Sequence, residues 1–352
     1  MVKDRMKFIR LDSNENPCGC SPLAKKAVIE YMEDDKLSKS QYPDEYTMFL
    51  RSAISEKYGV DRDEVFCGNG ADEIIYLLGN TFINPGDEVI LPEISFASYA
   101  SSASFRKGKI VCAPLKDDFG IDLDAVLKAI TENTKYIVLV NPNNPTGTMF
   151  CEEEQYEFLK KVPEDILVII DEAYAEFYMG ANFPNTCSML RDFDNLIILK
   201  TFSKIYGLAS FRIGFIMANK KIISSLLSED YRAESIQRFN VTTLAMIAAQ
   251  AALKDDVFLE NTKTANDRCL KNLCKHLDNM GYSYVPSHAN FLLINIRRDC
   301  TPVVESLEKK GYLVRPGTVL NADRLSEYIR VSIGTNEQME GFIHAFKDCL
   351  KL

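Results

Sequence analysis

What most restricts the fold of this chain is a series of short, nearly unbroken apolar runs between about Asp63 and Met217: Glu88–Leu91, Tyr136–Val140, Ile166–Ile170, Leu196–Leu199 and Ile213–Met217. A strand that is apolar throughout, rather than at every second position, has to be buried on both faces, which is the condition of a parallel sheet covered by helices. Helix-like stretches lie between the runs. In Ala71–Phe82, residues Ile74, Ile75, Leu77, Leu78 and Phe82 recur at helical spacing, and Asp122 is placed to cap a helix over Leu123–Ile130. The expectation is an α/β fold with a mostly parallel sheet flanked by helices.

At 352 residues the chain exceeds one ordinary core. After Gln237-Arg238-Phe239-Asn240 the pattern becomes helix-rich over Val241–Leu253 and Leu259–Met280. Asn290–Ile296, Thr301–Lys310, Leu313–Arg315 and Tyr328–Ile333 follow as a β-α-β-β series. The first forty residues lack strand–helix alternation and read as an arm with one helix, Leu23–Met32. The expected division is an arm and part of a small domain over 1–40, a large domain over 41–245, and a connecting helical region with a smaller α+β domain over 246–352.

The net charge of −9 and the lack of any basic run exclude a nucleic-acid partner. The opening Met1-Val2-Lys3-Asp4-Arg5 leads into polar sequence and no apolar run is long enough to span a bilayer, so no membrane association and a cytoplasmic location are expected. The ten cysteines are scattered, which suits reduced thiols, and with three histidines no metal site is expected.

Chemistry is expected at the C-terminal ends of the apolar strands, where open α/β sheets bind ligands. Val65-Phe66-Cys67 runs into Gly68-Asn69-Gly70-Ala71-Asp72 and then a helix, so free N–H groups and the positive end of a helix dipole face one spot suited to a phosphate. Tyr136–Val140 ends in Asn141-Pro142-Asn143-Asn144-Pro145-Thr146-Gly147, a rigid turn whose amides can reach a ligand. Ile166–Ile170 ends in Asp171-Glu172-Ala173-Tyr174, which brings a carboxylate and a phenol. Leu196–Leu199 ends in Lys200-Thr201-Phe202-Ser203-Lys204, with Arg212 eight positions on. Each feature alone has a bland explanation: a tight turn, a helix cap, a solvated lysine. Together they ask for one ligand with a phosphate for the helix start, Ser203 and Arg212, a ring nitrogen for Asp171, a phenolate oxygen for Tyr174 and Asn144, and an aldehyde for Lys204. Pyridoxal phosphate has all four parts.

The segments Asn141–Gly147, Asp171–Tyr174 and Thr201–Lys204 with Arg212 resemble the fold-type I pyridoxal-phosphate aminotransferases. Within that family Asp12-Ser13-Asn14-Glu15-Asn16-Pro17, Gln41-Tyr42-Pro43, Gly68–Glu73, Thr201–Lys204 and Tyr328–Thr335 are similar to the histidinol-phosphate aminotransferases, over nearly the whole chain. The resemblance implies the following roles. Lys204 carries the cofactor and serves as general base, Asp171 pairs with the pyridinium nitrogen, and Asn144 and Tyr174 hold the phenolate oxygen. Ala71, Asp72, Ser203 and Arg212 hold the phosphate. Phe96 stacks on the ring, and Tyr42 crosses to the partner subunit of a homodimer. Arg330 clamps a substrate carboxylate, and Arg315 reads a distal phosphate. The implied reaction exchanges histidinol phosphate and 2-oxoglutarate for imidazole-acetol phosphate and glutamate. An aromatic amino-acid aminotransferase and a decarboxylase of a phosphorylated amino acid remain open alternatives. One departure bears on the choice: Cys18-Gly19-Cys20 follows Pro17, where histidinol-phosphate aminotransferases usually have an aromatic residue, so the arm is also compatible with another amino acid.

Overall fold

The structure, a computed structural model, describes residues 4–35, 39–44, 47–228 and 239–350. Twelve strands are present among them: β1 (Ile9–Leu11), β2 (Val65–Gly68), β3 (Glu88–Pro92), β4 (Lys109–Ala113), β5 (Thr134–Val140), β6 (Leu167–Asp171), β7 (Leu196–Thr201), β8 (Gly214–Ala218), β9 (Tyr284–Val285), β10 (Phe291–Asn295), β11 (Tyr312–Pro316) and β12 (Tyr328–Ser332). Seven form a sheet in the order β2-β8-β7-β6-β5-β3-β4, and five form a second in the order β1-β11-β12-β10-β9.

The apolar runs lie where full burial requires. Every residue of β3, β7 and β8 is buried, and β5 and β6 are buried apart from Lys135 and Leu167. The large sheet has an apolar cluster on each face, one with Ile74, Ile75, Leu77 and Leu78 of the helix Ala71–Phe82, the other with Leu50 and Ile54 of the helix Met48–Tyr58. Neighbours from β4 through β3, β5 and β6 to β7 are parallel. The strand β8 departs from the all-parallel pattern, pairing antiparallel with both β7 and β2. A parallel return would need a crossover helix, and residues 202–213 contain only the short turn Ala209–Phe211. The edge strand β4 has no counterpart among the apolar runs, because apart from Ala113 it is exposed or half-buried.

In the smaller sheet β1, from the N-terminal arm, runs parallel to β11, while β11, β12, β10 and β9 alternate in direction. One face is covered by the helices Asp256–Met280, Cys300–Lys309 and Asn336–Leu350, through Leu273, Leu307, Phe342 and Phe346. The arm is therefore built into this sheet. Gln237 and Arg238, where the sequence pattern changes, lie outside the described residues.

A buried charge cluster ties β7 to the turn that follows β6. Lys200, 5% exposed, meets Glu172 at 2.9 Å and Glu176 at 2.8 Å. Burial pushes the ammonium pKa down, but the two carboxylates outweigh it and hold it above the ordinary lysine value. This cluster fixes the chain immediately beside Asp171 and just before Ser203-Lys204. Lys200→Met would leave Glu172 uncompensated in a buried site beside the half-buried Glu176, and breaking a buried pair typically costs about 3 kcal/mol or more. Urea unfolding should show that loss; an unchanged midpoint would mean that water solvates the cluster.

Candidate active site

The C-terminal ends of β2, β5, β6 and β7 open into a cavity of about 540 Å³, roofed by the arm and by residues of the smaller sheet. Its wall contains Ala71, Asp72, Phe96, Asn144, Asp171, Tyr174, Ser203, Lys204, Arg212, Arg315 and Arg330. The structure thus brings together every residue singled out from sequence except Tyr42. That tyrosine is 81% exposed, stacks on Phe239 at 4.8 Å, and takes no part in the cavity wall of its own chain.

At the start of the helix Ala71–Phe82 the capping position is Gly70, at φ 84°, and no side chain caps the first turn. The amides of Ala71 and Asp72 are therefore open to a ligand. A Cβ on Gly70 would lie 2.5 Å from Arg212 Nη2, so only glycine lets this guanidinium rest against the turn. On the other side Gly214 passes so close that its Cβ would stand 2.9 Å from the Ala71 nitrogen. Ser203 completes a cluster of donors suited to an anion.

Asp171 ends β6 and is 3% exposed. One carboxylate oxygen accepts from the Ala173 amide at 3.0 Å and the other from the Tyr99 hydroxyl at 2.8 Å. Burial nevertheless pushes its carboxyl up to about 6. Phe96 caps the helix Ala97–Phe105, with its ring at the cavity wall and edge-to-face with Tyr99 at 6.3 Å. Tyr99 was not singled out from sequence, although its position three residues after Phe96 on one helix face is a local signal.

The Tyr174 hydroxyl accepts from Asn144 Nδ2 at 3.3 Å and from Asn14 Nδ2 at 3.0 Å. Lys204 Nζ donates to the Ser13 carbonyl at 3.2 Å and lies 5.6 Å over the Tyr174 ring. Of the amides in the Asn141–Gly147 turn only Asn144 reaches the cavity. Asn141 donates to the Phe150 carbonyl and Asn143 to the Ile94 carbonyl, so these side chains hold the turn itself, contrary to the expectation that the turn's amides serve a ligand. Cys18 is exposed and outside the cavity wall; its amide closes a small turn on Asn16 Oδ1.

Arg330, 6% exposed, donates to Asn144 Oδ1 at 2.6 Å and to the Asp12 carbonyl at 2.7 Å, while its buried Nε has no partner. Arg315 stands directly opposite it in the β11–β12 register. Among the described residues no group of side chains could hold a metal ion.

An anion cradle, a buried carboxylate, an amine and two opposed guanidiniums around one cavity define the kind of site that handles amino and oxo acids. The chain matches the family model for aminotransferase class I and II over residues 6–346. It is 38% identical to a histidinol-phosphate aminotransferase of Halalkalibacterium halodurans, covering 97% of this chain and 89% of the relative. It is 39% identical to one of Brevibacillus brevis, covering 97% and 90%. Among solved structures, a putative histidinol-phosphate aminotransferase from Erwinia carotovora atroseptica superposes with a TM-score of 0.89 at 24% identity, covering 100% of this chain and 98% of that one. The enzyme from Sinorhizobium meliloti, solved in complex with pyridoxal-5'-phosphate, superposes at 0.87 and 24% identity, covering 98% and 91%. The chain belongs to the aminotransferase class I and II family, among the histidinol-phosphate aminotransferases. It is an enzyme, a transaminase.

Asp171 yields a signed prediction for the cofactor-free protein. Its folded pKa of about 6 lies above the ordinary aspartate value of 3.8, so the folded state binds the extra proton and stability falls as pH rises from about 4 through 6. Asp171→Asn removes that loss and should stabilise the cofactor-free protein at pH 7 by up to about 3 kcal/mol, with the gain vanishing near pH 4. Chemical denaturation at the two pH values measures it; a variant less stable than wild type at pH 7 would contradict the assignment.

Proposed function

We propose that the chain is a pyridoxal-phosphate transaminase that interconverts histidinol phosphate and 2-oxoglutarate with imidazole-acetol phosphate and glutamate. The observation that carries the substrate choice is the facing pair Arg315 and Arg330. Two cations opposed on one sheet face repel each other, and an anion seated between them relieves that cost. A phosphate on one substrate and a carboxylate on the other meet the same need.

The residues present fit the cofactor. The uncapped helix start with Ser203 and Arg212 suits its phosphate, and the buried Asp171 lacks a cation that a ring N–H⁺ supplies. When bound, pyridoxal phosphate supplies an aldehyde that takes the amino group and a ring that draws electrons from the substrate α-carbon. Asp171 would hold the ring nitrogen protonated, since a carboxylate beside it favours the cationic form of the ring. Tyr174 and Asn144 would hold the ring oxygen, and Phe96 would cover the ring face. Lys204 would carry the cofactor and, once released by the incoming amine, its Nζ would serve as the base that takes the α-proton. Arg330, held by Asn144 and Asp12, would orient the glutamate carboxylate, and Arg315 the phosphate of histidinol phosphate.

The reading extends to a homodimer in the cytoplasm, with the exposed Tyr42 reaching the cofactor phosphate of a second copy. It also takes 41–245 as the cofactor-binding domain, and 246–352 with the arm 1–40 as the smaller one. The two sheets support this division, each having one apolar cluster made from its own domain, while a further cluster joins the large domain to Val285, Phe291 and Leu293 of the smaller sheet.

The direct test is substrate preference on one preparation. Histidinol phosphate should exceed phenylalanine and tyrosine in kcat/KM, and Arg315→Leu should raise KM for histidinol phosphate about tenfold or more, a charge-assisted contact being worth roughly 1.5 to 3 kcal/mol. KM for the aromatic amino acids should change little. A wild-type preference for phenylalanine or tyrosine would replace this reading with an aromatic amino-acid transaminase. Asp171→Asn should separately slow α-proton removal by about 10² or more, as expected for loss of a preorganised electrostatic partner; pre-steady-state kinetics of either half-reaction would show it, and an unchanged rate would contradict the role.

A further inference from the structure

We propose that Asn14, on the N-terminal arm, is a positioning residue of the reaction: by donating to the Tyr174 hydroxyl it commits that phenol's single proton to the ring oxygen of the cofactor. The inference rests on the reading that Tyr174 faces that oxygen. Asn14 is 1% exposed and its Nδ2 lies 3.0 Å from the Tyr174 hydroxyl.

The direction of the bond is fixed by its neighbours. The Asn14 backbone N–H donates to Ser332 Oγ at 2.8 Å and the Ser332 hydroxyl donates to Asn14 Oδ1 at 2.9 Å, which leaves the Nδ2 end of the amide for Tyr174. The same logic holds for Asn144, whose Oδ1 is occupied by Arg330 Nη1 and whose Nδ2 therefore turns to Tyr174. A phenol has two lone pairs and one proton. With both lone pairs taken by amides, Tyr174 can only donate, and on the proposed reading the ring oxygen of a cofactor in the cavity it lines would be the acceptor.

The backbone is bent to make this contact. Asn14 adopts φ 53°, the left-handed region, and its carbonyl is held by Asn290 Nδ2 at 3.1 Å. Such a conformation is uncommon for a non-glycine residue and persists only where the surroundings over-determine it. Here they turn the side chain to Tyr174 while the preceding carbonyl, that of Ser13, receives Lys204. The charged groups facing Tyr174 are Lys204 over its ring and Arg330 acting through Asn144, with Asp171 on the adjoining strand end; none is altered by the substitutions below.

A phenol confined to donating favours negative charge on the ring oxygen, so the link between Lys204 and the cofactor should lose its proton at lower pH. The readout is the pH midpoint of the visible absorption band of the holoenzyme. Asn14→Ala should raise the midpoint by about half to one pH unit, the worth of one hydrogen bond. Asn14→Asp, nearly isosteric and still able to accept from Ser332, should raise it further, because a carboxylate draws the Tyr174 proton towards itself. A purely structural role predicts the reverse order, since the aspartate preserves the packing. The proposal is overturned if Asn14→Asp shifts the midpoint no more than Asn14→Ala while Tyr174→Phe raises it. A midpoint unmoved by Tyr174→Phe would instead remove the underlying placement of Tyr174, and this inference with it.

Discussion

The site depends on how the Arg330 guanidinium is held. It lies on β12 of the smaller sheet, yet it donates to a carbonyl of the arm and to Asn144 at the end of the large sheet. Three stretches of chain distant in sequence are therefore pinned around one cation. Burial lowers its pKa, and Arg315 opposite adds a like charge, so this arrangement is expensive without an anion. The protein carries that cost in the place where a substrate would remove it.

The same pattern recurs along the cavity. The Asp171 carboxyl is raised by burial, Gly70 is confined to a left-handed conformation against Arg212, and Asn14 is held at positive φ. The Asp171 and Asn14 arrangements are unfavourable for the isolated fold, Gly70 accepts its backbone conformation without strain, and all three would suit a ligand with an anionic end, a cationic ring nitrogen and a hydrogen-bonding oxygen. Around these groups the structure is rigid: the Lys200 cluster fixes the strand ends, and Asn141 and Asn143 brace the turn that presents Asn144. Stability is invested beside the site and withdrawn within it.

Much of this is legible in the sequence because it is local. The helix Ala71–Phe82 follows from the spacing of its apolar residues, and Asp122 caps the helix Leu123–Lys128 by accepting from Ala125, as its position suggests. The strand-end residues converge because parallel strands bring their ends together. What could not be read depends on contacts remote in sequence. The reversed direction of β8 reflects a connection without a crossover helix, and the half-exposed β4 leaves no continuous apolar run. The fates of Asn141 and Asn143 are set by the carbonyls they meet. Asn14 reaches Tyr174 across 160 residues, and no periodicity encodes that meeting.

These elements converge on Lys204, the residue proposed to carry the cofactor. Borohydride reduction of the purified holoenzyme, followed by peptide mapping, tests this role most directly. The visible band should be lost and the cofactor fixed irreversibly on the peptide containing Ser203-Lys204. Cofactor fixed on any other lysine, or on none, would contradict it.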